Sequence, residues 1–94
     1  MIRVVARNTI KVDRVQEFLK LAKELGLETN KEDGCIEYIL AKDLKIENTF
    51  TFIEKWETMK HLEAHFEASH FKRIVPQFGD LVKTAHGIDI YEEV

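Results

Sequence analysis

Between Trp56 and Phe71 the chain reads WETMKHLEAHFEASHF, placing one tryptophan with His61, His65 and His70 in a single amphipathic stretch. Imidazole is the side chain best suited to proton transfer near neutral pH, and it is also the commonest metal ligand. His61 and His65 are four residues apart, on one side of a helix. The zinc-protease signature places Glu directly after the first His, whereas HLEAH has Leu62 there and Glu63 one place late. A zinc site takes three or four ligands, and Cys35 and His86 stand isolated, so no metal is expected. Cys35 follows a turn and opens an apolar run, where a lone Cys reads as a small buried hydrophobe. There is no glycine-rich phosphate loop, so no nucleotide cofactor is indicated.

The three histidines are not equivalent. At 100° per residue, Met59, Leu62 and Phe66 define the apolar centre of the helix, with His61 roughly 130° away on the wet side. His65 falls about 90° from that centre, at the rim of the buried face. His70 turns inward only if the helix continues, and the chain is expected to bend near Ser69. His65 is therefore the imidazole placed to reach a cavity and stay polar.

Two polar residues sit on otherwise apolar rows. Asn8 aligns with Ile2, Val4, Ala6 and Ile10, and Glu54 with Phe50, Phe52 and Trp56. Burying such a group without partners costs about 2–7 kcal/mol even when it is neutral. For Asn8, a place in a cavity and a place at a strand end are both open. Glu54 lies mid-row and is assigned to a cavity between sheet and helices.

The elements that hold these residues follow from periodicity. Residues 2–12 alternate as a strand, and 13–25 change to helical spacing through Val15, Phe18, Leu19, Ala22 and Leu25. Asp13 with Gln16 three residues on matches a capping box, and Asp33–Gly34 reads as a turn. Residues 35–42 and 49–56 are two further strands, Thr58 is a candidate cap for the second helix, and 84–94 form a closing strand. The order β-α-β-β-α-β predicts an α+β, ferredoxin-like fold over a single domain, 1–94: a four-stranded antiparallel sheet with its helices on one face.

Composition narrows the partners. The chain has 94 residues, 45% hydrophobic and 33% charged, with a net charge of −3, so no basic stripe is available for nucleic acid. No apolar run approaches the roughly 20 residues of a membrane helix, and Arg3 and Arg7 interrupt the N-terminal apolar segment, which is not read as a signal peptide. One cysteine fits a reducing, cytoplasmic setting. The sheet face that carries Val5 and Ile53 is apolar enough to predict a homodimer formed through it.

EDGCIEYIL (32–40), FIEKWET (52–58) and HLEAHFEASHFK (61–72), in register on this element order, resemble the antibiotic biosynthesis monooxygenase family over essentially the whole chain. The resemblance implies a dimeric α+β barrel with a pocket between sheet and helices, and oxidation of quinols or polycyclic phenols by O2 without haem, flavin or metal. Haem-degrading relatives carry an Asn on the first strand, which Asn8 matches. The position of their helix Trp is held by His65 and that of their haem-ligating His by Val75, so haem chemistry is not expected. Other relatives isomerise small phosphorylated sugars, and that alternative stays open, as does a non-catalytic dimeric module for a small hydrophobic ligand.

On the oxidase reading His65 is the candidate general base, with Glu54 orienting or charge-stabilising it if the two meet. Asn8 is a candidate hydrogen-bond donor to a substrate or peroxide oxygen. Trp56, Phe52, Tyr38 and Phe66 are candidate substrate-binding walls, with core packing as the competing reading for Trp56 and Phe52. Tyr38 shares a row with Ile36 and Leu40 that could face the dimer barrel instead.

Overall fold

The computed structural model describes residues 1–94. Strand β1 (Ile2–Ile10) leads through a 3-10 turn, Val12–Arg14, into α1 (Val15–Thr29), followed by β2 (Cys35–Lys42) and β3 (Thr49–Trp56). Helices α2 (Met59–Glu67) and α3 (Ser69–Ile74), a second 3-10 segment, Val75–Asp80, and β4 (Val82–Glu92) complete the chain. The sheet is antiparallel in the order β2-β3-β1-β4. This is the expected ferredoxin-like α+β fold. No helix is long and apolar enough to cross a membrane.

Register fixes the two faces. Tyr38, Glu54, Val4 and Ile90 form one row across the sheet, and Leu40, Phe52, Ala6 and Ile88 the next, all on the helix side. Ile39, Ile53, Val5 and Asp89 form a row on the opposite face, where Ile39 is 48% exposed. The core is aromatic: the Phe18 ring lies 5.6 Å from Phe50, 6.1 Å from Phe52 and 5.0 Å from Phe78. The helical layer leaves β4 bare, and Ile88, although on the inner face, is 60% exposed.

Several local expectations are corrected. Asp13 and Gln16 form no capping box, because Asp13 lies inside the 3-10 turn rather than at the flanking position, and α1 starts without a side-chain cap. Helix α1 runs past Gly26 to Thr29, and Asn30 closes it, donating from Nδ2 to the carbonyls of Gly26 (2.8 Å) and Tyr38 (3.1 Å). Thr58 does cap α2, accepting from the His61 amide. The closing strand begins two residues earlier than its predicted start, at Val82. Ile36 falls at a β-bulge between Cys35 and Glu37, so the alternating row that tied Tyr38 to Ile36 is broken.

Candidate active site

The sheet and helices border a cavity of about 490 Å³ that opens along β4. Its sheet wall is built from Val4, Ala6, Asn8, Tyr38, Phe52 and Glu54. The helical wall includes Leu25, His65, Phe66 and Phe71, and the exposed strand β4 contributes Ala85, Gly87 and Ile88 along one side. No Lys or Arg lines it. Apolar walls with a few convergent polar groups are the usual character of a small-molecule site.

His65 is buried, with 1% exposure, and not at a rim. The buried face of α2 is centred on Leu62 and His65, whereas Met59 is exposed. A helical wheel weights Met59 by hydrophobicity alone, but this residue sits in the first turn, ahead of the segment that touches the sheet. The imidazole packs 4.8 Å from the Trp56 ring and meets Phe71 edge-on at 5.0 Å. Its Nδ1 lies 2.6 Å from Glu32 Oε2, and His70 Nε2 lies 2.7 Å from the same oxygen. A carboxylate only accepts, so each ring donates, which places the His65 proton on Nδ1 and leaves the Nε2 lone pair free. Burial holds the His65 pKa below its ordinary value, although the Glu32 hydrogen bond and charge oppose the shift, so the site favours the neutral ring.

Glu54 is only 6% exposed and does not serve as the His65 partner. Its Oε1 accepts a hydrogen bond from Trp56 Nε1 at 3.0 Å. Burial pushes its pKa up to about 7; the Trp56 hydrogen bond works against the shift and the charge of Glu32 adds to it. Glu54 is therefore poised to hold or release a proton near neutrality. Tyr38 turns to the cavity rather than to the opposite sheet face, and burial raises its pKa well above the ordinary phenol range.

Of the seven predicted site residues, Asn8, Tyr38, Phe52, Glu54, His65 and Phe66 all line the cavity. Trp56 does not: fully buried behind the wall, it holds Glu54 by hydrogen bond and His65 by ring contact. Glu32 and His70 escaped the sequence reading. Ala68 adopts an extended ψ of 144°, breaking the helix between α2 and α3 and turning His70 back toward Glu32. The bend expected near Ser69 is thus found at Ala68, but it turns His70 inward, where the sequence reading turned it inward only if the helix continued. Glu32 lay inside a turn, where a solvated carboxylate is the ordinary reading.

Gly34 places Glu32. It has φ +80°, and a Cβ there would lie 2.2 Å from the His61 ring. His61, expected on the wet side, is instead half-covered because a glycine lets the turn close over it. Its Nδ1 sits 2.8 Å from Thr58 Oγ1. The turn that carries Glu32 is thus pressed against the first turn of the helix that carries His65.

Residues 1–77 match the family model described as antibiotic biosynthesis monooxygenase. The chain is similar to the uncharacterized protein sll1783 of Synechocystis, with 33% identity over 95% of this chain, and it spans 61% of that protein's length. Among solved structures, a conserved protein from Methanosarcina mazei superposes with a TM-score of 0.95 at 39% identity, over 99% of this chain and 92% of that one. A crystal structure of an antibiotic biosynthesis monooxygenase superposes with a TM-score of 0.93 at 31% identity, over 100% and 99% of the two chains. The fold, the cavity and these matches agree, and the chain belongs to the antibiotic biosynthesis monooxygenase family.

Proposed function

We propose that this protein oxidises a quinol or polycyclic phenol with O2, without a resident haem, flavin or metal. The observation that carries the reading is His65: a neutral imidazole anchored through Nδ1 by Glu32, with Nε2 free, in a wall of an aromatic cavity. Nε2 takes the proton of a substrate hydroxyl, and the electron-rich phenolate then reduces O2. A C–O bond forms at a ring C–H carbon, and the proton held on His65 passes to the peroxide. Loss of the ring proton to His65 breaks the O–O bond, leaving a quinone carbonyl and hydroxide, which takes that proton back from His65 and departs as water. The ring loses two hydrogens and gains one oxygen, and the other oxygen departs as water, so no external reductant is consumed.

Val4, the register partner of Glu54, and Asn8 are four residues apart on β1, about 13 Å along the strand. A fused-ring substrate spans that distance better than a single ring does. A phosphorylated sugar is disfavoured because no Lys or Arg lines the cavity to neutralise its phosphate. On this reading the row Ile39, Ile53 and Val5 is the surface through which two copies pair. Ile53→Lys is expected to give a monomer by sedimentation, and an unchanged mass would remove that surface from the reading.

An oxygen electrode with a panel of quinols and phenols tests the activity. Substrate-dependent O2 uptake is expected in the wild type and its loss in His65→Ala. Product formation in anaerobic buffer, or saturable binding without O2 uptake, would replace the oxidase with an isomerase or a binding module.

A further inference from the structure

Glu32, His65 and His70 each direct one ligand atom into a space where all three atoms lie within 4.8 Å of one another. Sequence spacing pairs His61 with His65, whereas in the fold the histidine beside His65 is His70. His61 points at Thr58 and Gly34, while His70, brought round by the break at Ala68, completes two imidazoles and one carboxylate.

We propose that Glu32 Oε2, His65 Nδ1 and His70 Nε2 form an inhibitory site for a divalent transition ion of the zinc class, which on binding turns His65 from a base into a hydrogen-bond donor toward the cavity. Two imidazole nitrogens and one carboxylate oxygen suit Zn²⁺, whereas Mg²⁺ and Ca²⁺ prefer oxygen donors throughout. Coordination at about 2.1 Å places tetrahedral ligands near 3.4 Å apart, so Oε2 withdraws by a fraction of an ångström as the rings approach. His70 on the short helix α3 has the room to move, since its side chain is 15% exposed against 1% for His65.

No histidine has to lose a proton outright. Both rings donate to Glu32 through the nitrogen that would bind the ion, so each exchanges tautomer. For His65 the exchange moves the proton from Nδ1 to Nε2. The lone pair assigned to the substrate hydroxyl disappears, and the ring presents N–H instead. The ion-binding claim stands on the three ligand atoms, and its effect on turnover rests on the oxidase reading.

Titration of the chelator-treated protein with Co²⁺ tests the site directly. One equivalent is expected to bind with visible d–d absorption. Glu32→Gln and His70→Ala are each expected to weaken binding by about tenfold or more, while His86→Ala, remote from the cluster, leaves it unchanged. Native far-UV spectra for these variants separate ligand loss from unfolding. Absence of stoichiometric binding, unchanged affinity in folded Glu32→Gln and His70→Ala, or loss of binding in His86→Ala would overturn the site. Zn²⁺ is expected to suppress quinol-dependent O2 uptake and a chelator to restore it. Uptake indifferent to bound Zn²⁺ would overturn the inhibitory role, and a wild type with no uptake would overturn the oxidase reading while leaving the Co²⁺ result to decide the site.

Discussion

Glu32 Oε2 stands 2.6 Å from His65 Nδ1 and joins a turn to a helix 33 residues further along the chain. The carboxylate fixes which ring nitrogen carries the proton, and with it the chemistry that His65 offers the cavity.

Glu32→Gln keeps the shape but removes the charge, and a neutral amide no longer dictates one tautomer. We expect kcat for quinol-dependent O2 uptake to fall about 10–100-fold with KM little changed, since the cavity walls are untouched. The ¹⁵N shifts of the His65 ring are expected to move from the Nδ1–H pattern toward a mixture. A kcat equal to that of the wild type would show that the Glu32 pairing is only structural.

Glu54 gives a pH signature. Its folded pKa of about 7 lies above the ordinary carboxylate value of 4.5, so between those values the folded protein binds more protons than the unfolded chain. Stability from this group is therefore present at low pH and is lost as pH rises from about 4.5 through 7. Gln at this position keeps an acceptor for Trp56 Nε1 and does not ionise. Urea unfolding is expected to show Glu54→Gln close to wild type at pH 4.5 and more stable by on the order of 2–3 kcal/mol at pH 8. Equal stabilities at pH 8 would mean that Glu54 ionises without penalty.

How far the sequence carries is seen in these same residues. Glu54 was legible because a strand alternates strictly, and one carboxylate on a row with Phe50, Phe52 and Trp56 has nowhere to hide. The element order and the side of the sheet facing the helices followed from the same alternation. Tyr38 was ambiguous because a one-residue bulge at Ile36 shifts the phase of β2. Glu32 and His70 were out of reach for another reason. Their meeting depends on the direction in which the chain leaves the bend at Ala68 and on the close approach of Gly34 to His61; a bend near Ser69 is legible, but neither its direction nor that approach leaves a periodic trace.

Gly34 connects stability to the site. Its φ of +80° is costly for an L-residue, and an Ala Cβ there would run into the His61 ring at 2.2 Å. Gly34→Ala is expected to lose about 1–3 kcal/mol in chemical denaturation. Because the turn carries Glu32, O2 uptake should fall by more than the fraction unfolded explains. Gly79, with open space around it, serves as the control: Gly79→Ala should change neither quantity appreciably.

Trp56 separates support from contact. Its Nε1–H lowers the Glu54 pKa against the effect of burial, and its ring backs His65 at 4.8 Å, yet it does not face the cavity. Phe at this position keeps most of the ring volume and removes the donor. The Glu54 carboxyl should then titrate higher than in the wild type, detectable by ¹³C shifts of its side-chain carboxyl. Leaving a buried acceptor unpaired should cost about 1–3 kcal/mol at neutral pH. The penalty should shrink as pH falls and Glu54 takes up its proton, because a neutral carboxyl needs the Trp56 donor less than a carboxylate does. A penalty independent of pH would instead assign the loss to packing between the two rings.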